Sequence, residues 1–436
     1  MPHSRAVLLA LVTASSAFAA DPQGTTFPLL AKFSGTLYGF AELDGIYDST
    51  EGFTDVAGHT MIPRADKYAG QHGRMTFSAR DTRIGFKLNA PEWNGIKSSG
   101  VLEADFLGNQ PPTASEAATF VNPTFRLRHA YLKLETPWVD VLAGQYWQLF
   151  GWQPYFVLGA AEIPGTVGEP FARAPQLRLS KHLAAGPVSF DWALAVSRSG
   201  QRDSAMPDGQ AGVRLNLDGW KTVRTVGSCI TSAEALSVGL SGLARKFDLP
   251  EFSAAPKKDV SANGWGYSVS LFAPIVRASL ADRSNALSVT ASFSRTAGAA
   301  DYFTNLSGGV SSPTLPGTNG QVYAGNVDPG MALYDAKGHL SVIDWSSFSG
   351  GIQYYLPGND QVWLALDYGH AASNNAGGHG AAATVVTQMN WASANVFWDL
   401  GPAVRFGAAY SWYGQRYADG AHAQNHRAQL TALYLF

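Results

Sequence analysis

The sequence predicts an all-β protein: a transmembrane antiparallel β-barrel of about 16 strands, with short periplasmic turns and long extracellular loops. Three observations predict it. The chain opens with an export signal. Alternating segments of about 10 residues then follow one another, joined by connections that are short and long in turn. The chain ends on an aromatic residue with nothing after it.

The N-terminal stretch Met1 to Ala19 has a short start with His3 and Arg5, an apolar run from Ala6 to Val12, and a small-x-small pattern at Ala17-Phe18-Ala19. That is the layout of a secretory signal peptide, which leaves 20–436 as the barrel. The run is too short to span a bilayer, which takes about 20 residues, and no later stretch offers 18 continuous apolar ones. Charged residues make up 15%, aromatics 12%, and there are 46 glycines. An exported chain of this kind is either a periplasmic or secreted β-protein or an outer-membrane barrel. A soluble β-sandwich would also alternate, but it would need neither the short–long rhythm nor so many strands in one run. The single Cys229 forms no internal disulfide. Removing residues 1–19 takes away only Arg5, leaving 30 basic against 33 acidic residues. No nucleic-acid partner is expected. Any charge-based function must come from where the charges sit.

The first strand is predicted near 32–47, with Phe33, Gly35, Leu37, Gly39 and Ala41 on one side and Ser34, Thr36, Glu42 and Asp44 on the other. The next four fall at 74–88, 100–107, 124–135 and 138–148. Later ones lie near 174–181, 187–198, 210–218, 235–247, 263–273, 285–296, 346–356, 361–370, 389–399, 402–413 and 424–436. Tight turns rich in Gly, Pro and Asn, such as Thr136-Pro137 and Gly401-Pro402, separate pairs of strands on one side. Long links at about 48–73, 108–123, 149–173, 199–209, 248–262, 297–345, 371–388 and 414–423 join them on the other. The stretch 219–232 breaks the rule: it should be a short turn and is not, so two further strands could hide there.

In the last strand, Phe436, Tyr434, Ala432, Leu430 and Ala428 form an apolar parity that would face lipid. The opposite parity turns polar towards Arg427. Trp93 and Trp138 in turns, with Trp398, Trp412 and Tyr434 on apolar parities, are candidates for interfacial aromatic girdles.

In a barrel of this size the lining of the lumen decides function. The polar parity of the first four strands presents Glu42 and Asp44; Arg74, Arg80, Arg83 and Lys87; Glu103 and Asp105; then Arg126, Arg128 and Lys133. The parity slips near Asp81–Arg83, the mark of a bulge. The alternation of acid and base predicts a charge ladder, with Asp44, Arg80, Asp105 and Arg128 at similar depth. It reads either as cross-strand ion pairs that stiffen the wall or as a row of guanidinium groups that draws anions inward, since a guanidinium can meet a carboxylate two-pronged. Arg178 and Arg214 continue the row, while the neighbouring strands offer only Asp140 and Asp191, so surplus positive charge is expected there.

The runs Phe77-Ser78-Ala79-Arg80-Asp81-Thr82-Arg83-Ile84-Gly85-Phe86-Lys87, Gly100-Val101-Leu102-Glu103-Ala104-Asp105-Phe106, Phe125 to Tyr131 and Leu142 to Trp147 resemble the DcaP-like family of Gram-negative outer-membrane porins. The resemblance is strongest over roughly 74–152 and is one of pattern elsewhere. It implies a homotrimeric, 16-stranded porin whose arginine-lined constriction passes small anions, dicarboxylates among them. Many members carry an N-terminal coiled coil. With about a dozen residues between the cleavage pattern and the first strand, none is expected here.

The third long link, 149–173, is unusually apolar, with Phe150, Trp152, Tyr155 and Phe156. In general porins the third outer loop folds into the channel, and this one is similar. Tyr155, Glu162, Glu169 and Arg173 would then sit at the constriction, with the two acids facing the basic wall. Alternatively the loop packs over a neighbouring subunit.

No nucleophile elbow, phosphate-binding loop, HExxH or CxxC is present, and His129, His339, His370 and His422 lack metal-ligand spacing. No cofactor is expected. The reading is a passive outer-membrane diffusion channel, not an enzyme, that prefers anions. Its partners would be small anionic solutes, outer-membrane lipid and lipopolysaccharide. A structural or adhesin-type barrel and an outer-membrane hydrolase are the alternatives.

Overall fold

The structure is a computed structural model. It describes residues 24–436 apart from 30–31, 54, 57–61, 112, 153–166, 201–203, 205, 227–229, 305, 307–311, 316, 324, 336, 359–360 and 379–381. The signal-peptide stretch, Cys229, Tyr155 and Glu162 lie outside the described residues.

Sixteen antiparallel strands close into a barrel. They are β1 (Phe33–Asp48), β2 (Arg74–Ser78 and Arg83–Asn89), β3 (Lys97–Asp105), β4 (Arg126–Glu135), β5 (Asp140–Trp147), β6 (Arg173–Ala185), β7 (Val188–Ser197) and β8 (Asp208–Val226). The circuit continues with β9 (Ile230–Pro250), β10 (Asp259–Val276), β11 (Leu287–Ala297), β12 (Asp344–Tyr355), β13 (Val362–Ala372), β14 (Val386–Leu400), β15 (Val404–Tyr417) and β16 (His422–Leu435). Every predicted segment overlaps one of them. Among the described residues no helix is long and apolar enough to cross a membrane.

Closure is made by β1 and β16, paired from Phe40↔Leu435 to Asp48↔Arg427. Phe436 completes it with a reciprocal pair of backbone bonds to Gly39, 2.8 and 3.1 Å. Alongside, Thr25–Leu29 pairs with the start of β1 from Thr25↔Leu37 to Leu29↔Phe33.

The alternation of side chains explains why these residues form a membrane wall. On β8, Val213, Leu215 and Leu217 are exposed while Gln210, Arg214 and Asn216 are buried inside. On β16 the apolar parity predicted to face lipid carries exposed Leu430 and Tyr434, and the other carries buried Arg427, Gln429 and Thr431. A soluble protein would bury the apolar set. Here burial is inverted because the solvent outside is hydrocarbon. Trp93, Trp138, Trp398 and Tyr434 stand exposed on the outside, as girdle residues would. An apolar concavity of about 800 Å³ also lies on this outer face. Tyr47, Leu364, Leu366, Val396, Tyr410 and Leu430 line it around the small Gly45, Ala394, Ala408 and Ala428.

Two irregularities matter. In β2 the residues between Ser78 and Arg83 leave the ladder in a turn, with Thr82 N donating to Ala79 O at 3.2 Å, while both halves still pair with β1. This is the predicted parity slip: it returns Arg83 to the inner face although Ser78 is also inside. The stretch 219–232, which could have hidden two strands, instead lengthens β8 and β9. Three residues, Asp218 to Trp220, bulge out between Leu217↔Leu236 and Lys221↔Ala235, and the two strands then continue as a hairpin.

Candidate functional site

The inner face of β2 to β4 carries a ladder of acidic and basic side chains, and the structure supplies its pairs. Asp105 accepts two bonds from Arg126, at 2.8 and 2.6 Å, and one from Arg128 at 2.9 Å. Arg128 also reaches Glu103 at 2.7 Å, and Arg83 stands 3.8 Å from the same carboxylate with its guanidinium over Phe40. A bulge at Glu103/Ala104 turns both Arg128 and His129 inward, where His129 lies against Tyr146 and Trp147.

Asp44 and Arg80 do not meet. Arg80 pairs with Asp55, on the loop after β1, at 3.0 Å, and Asp44 accepts from Gln429 at 2.9 Å across the barrel seam. The local break in β2 sets Arg80 aside from the regular ladder, so a loop carboxylate becomes its partner. Arg74 pairs with Glu116 at the loop-side rim. Lys87 lies on the inner parity opposite Thr36 and Val101, near the turn end.

The surplus appears on β6. Asp140 is taken by Lys181 at 3.1 Å, and Asp191 by His182 at 2.7 Å and Asn216 at 2.7 Å. Arg178 is buried and held only by neutral acceptors, Gln176 at 3.1 Å and the carbonyl of Trp147 at 2.6 Å, with its guanidinium over Tyr146. Arg173 lies over Trp147, and its Nη1 has no hydrogen-bond partner among the described residues. Arg214 is buried with its guanidinium over Trp152, 4.4 Å from the ring centroid.

The loop after β5 does enter the bore. Phe150 N donates to Gln210 at 2.8 Å, Gly151 N to Ser241 at 2.8 Å, and Trp152 Nε1 to the carbonyl of Leu240 at 3.2 Å. All three acceptors lie on β8 and β9. Space for the indole exists because position 212 is glycine: a Cβ there would stand 2.7 Å from the Trp152 ring. Farther along, Gly168 presses on the backbone of β12 and β13, eight staves round from β5. Its φ of +85° suits glycine. The loop then returns by Phe171 N to Tyr302 O, 2.6 Å, to Arg173. Glu169 on this return is buried. The loop therefore packs inside its own barrel. The alternative of an apolar loop laid on a neighbouring subunit does not hold for 149–152 and 167–173.

The long link 298–343 packs there too. Its Tyr302, Phe303, Tyr323, Val327, Met331 and Tyr334 join Phe150, Val167, Phe247, Trp345, Trp391 and Tyr413 in one apolar cluster inside the loop end. A buried charge cluster pins it. Arg245 binds Asp208 at 3.1 Å and through a shorter second contact, and Asp301 at 2.6 and 3.0 Å, while Tyr302 donates to Asp208 at 3.0 Å. Desolvation and the flanking carboxylates push the Tyr302 hydroxyl well above its usual range, so it stays a donor.

Sequence reasoning stopped at the first eight strands and missed further inward pairs. Arg427 holds Asp48 at 2.9 and 2.8 Å across the seam, and Arg405 holds Asp399 at 2.5 and 3.0 Å. The same parity rule would have found both. Among the described residues, no group of three His, Cys, Asp or Glu is placed to hold a metal ion.

Residues 6–172 match the sequence profile of the Gram-negative porin family. No protein of curated function matches the sequence closely. Among solved structures, the outer membrane channel DcaP of Acinetobacter baumannii superposes with a TM-score of 0.67 at 19% identity, covering 94% of this chain and 99% of that one. An anion-selective porin from Comamonas acidovorans gives 0.50 at 11% identity, covering 93% and 100%. The trimer form of OmpT, an outer membrane protein of Vibrio cholerae, gives the same values. Identities this low speak for the fold alone. With a porin-family profile matched over residues 6–172 and the DcaP-type barrel over nearly its whole length, the chain has the fold of a Gram-negative outer-membrane porin.

Proposed function

We propose that the protein is a passive diffusion channel for small hydrophilic solutes with a preference for anions, small dicarboxylates among them. One observation carries the preference. The carboxylates Glu103, Asp105, Asp140 and Asp191 are each engaged by a neighbouring basic side chain, whereas Arg173 and Arg178 face the bore with only neutral partners. An inward row of charge raises the local concentration of the opposite ion, and a planar guanidinium meets a carboxylate two-pronged. The loop after β5 would hold solutes against this row, with Arg173 at its end. The ion-paired Arg80, Arg83, Arg126 and Arg128 then serve as a stiff wall.

The trimeric relative supports a homotrimer. The outward concavity around Ala394, Ala408 and Ala428 is a surface where another copy would fit closely. The other surroundings of the wall would be outer-membrane lipid and lipopolysaccharide.

Reconstitution in a planar bilayer tests the reading. In a KCl gradient the reversal potential should lie on the chloride side of zero, and small dicarboxylates should block the current. Cation selectivity would refute the preference. A second reading, a barrel with a plugged lumen, is favoured by the loop cluster packed inside the loop end. Pure protein that inserts without any conductance would establish it.

A further inference from the structure

The hairpin that continues β8 and β9 beyond the Asp218–Trp220 bulge has a place in the bore that the channel reading leaves unused. Every other connection at the turn end hands one strand to the next. Here two strands, Lys221–Val226 and Ile230–Ala235, run on as a pair. A hairpin projecting freely into the periplasm would expose at least one face. Instead Thr222, Val223, Arg224 and Thr225 are all buried in succession, so both faces are covered.

The contacts say where the hairpin lies. At its base, Trp220 Nε1 donates to the carbonyl of Pro274 at 2.7 Å and Thr222 Oγ1 to that of Val276 at 2.8 Å, both at the end of β10. Nearer its tip, Thr225 N donates to Gln353 Oε1 at 2.8 Å, and Gln353 Nε2 returns a bond to Thr225 O at 2.9 Å. The Thr225 hydroxyl bonds the Tyr355 hydroxyl at 2.6 Å. Gln353 and Tyr355 are inward residues of β12, a quarter of the circuit from β8. Val223 belongs to an apolar cluster with Tyr355, Trp363 and Phe397. The opposite face turns the Arg224 guanidinium over Phe272, an inward residue of β10. A bulge sharpens strand bend and twist, and this one tips the hairpin inward.

We infer that residues 220–226 with 230–235 form a second constriction at the periplasmic outlet of the bore, in series with the outer loop, held there by Gln353 and Tyr355. The inference rests on the channel reading. It narrows the outlet to the side of β1–β7, away from the β10 and β12 residues that hold the hairpin.

The test uses the full-length protein in planar bilayers. Replacing residues 220–235 by an Asn-Gly turn should raise the single-channel step at least twofold in the same KCl. An unchanged step would overturn the inference. Because the shortened barrel can fail to assemble, Gln353→Ala is also made, which removes both bonds to Thr225. Its step should be larger or noisier than that of the unmodified protein, and an identical trace would overturn the inference by itself. If the unmodified protein does not conduct, the channel reading fails as well. If it conducts and neither variant responds, only the second constriction fails.

Discussion

Replacing Trp152 by alanine should convert a narrow channel into a wider one without harming the barrel. The indole is the deepest anchor of the loop after β5. It is 3% exposed, bonds the Leu240 carbonyl, and lies under the Arg214 guanidinium in the space left by Gly212. Removing a buried tryptophan costs about 3–5 kcal/mol. The loss falls on loop docking rather than on strand pairing, because Trp152 touches the wall only through inward positions. At about 1.4 kcal/mol per tenfold, even the lower figure shifts the docked-to-undocked ratio by roughly 100-fold. The two backbone bonds of Phe150 and Gly151 remain, each contributing about 0.5–1.5 kcal/mol. Phe150 stays in its apolar cluster, so the segment loosens around position 152 rather than leaving the bore. The assay is single-channel recording with unmodified protein alongside. The expected trace shows larger, noisier steps and weaker block by dicarboxylates. Identical steps and identical block would refute the claim that this loop narrows the bore.

Arg178→Ala should lower the chloride-to-potassium permeability ratio. At about 5 Å in water-like surroundings one charge is worth roughly 0.8 kcal/mol, or about fourfold. The effect should shrink towards 1 M KCl, where the screening length falls to about 3 Å, and Arg80→Ala should leave the ratio nearly unchanged apart from its cost in stability. Asp105→Ala strips two arginines of their shared carboxylate, a loss of roughly 3–5 kcal/mol for a buried pair. It should lower the temperature at which the folded band disappears on denaturing gels while raising anion preference. Arg245→Ala leaves Asp208 and Asp301 without their common cation. The link 298–343 should then become cleavable by protease in intact outer membranes, where the unmodified protein resists.

Alternation with period two is strong where one face meets lipid and the other a polar lumen, so the strands were legible almost residue by residue. Phe436 to Ala428 is the plainest instance. The parity slip in β2 was legible too, because Arg80 and Arg83 could not otherwise share a face. What parity could not give was partner choice. Whether Arg80 meets Asp44 or Asp55 depends on a loop carboxylate whose position is set by tertiary packing. The hairpin after β8 was visible only as a violation of loop length, since the residues that draw it inward, Gln353 and Tyr355, lie more than a hundred positions away. The inward path of the loop after β5 was signalled by its aromatics, which cannot rest in water. The glycine that receives one of them, Gly212, reads in isolation as an ordinary strand residue.

Two segments far apart in sequence come to rest on the same strand. Phe40–Asp48 of β1 takes β16 as its partner, and Thr25–Leu29 covers the stretch of β1 just before it. Until β16 docks, this part of the leading strand presents a bare ladder of amide groups, the kind of edge that recruits foreign strands. Assembly of such a cylinder is therefore governed by its most distant contact, and Asp48 with Arg427 is a clasp that can be fastened only once the final stave is in place.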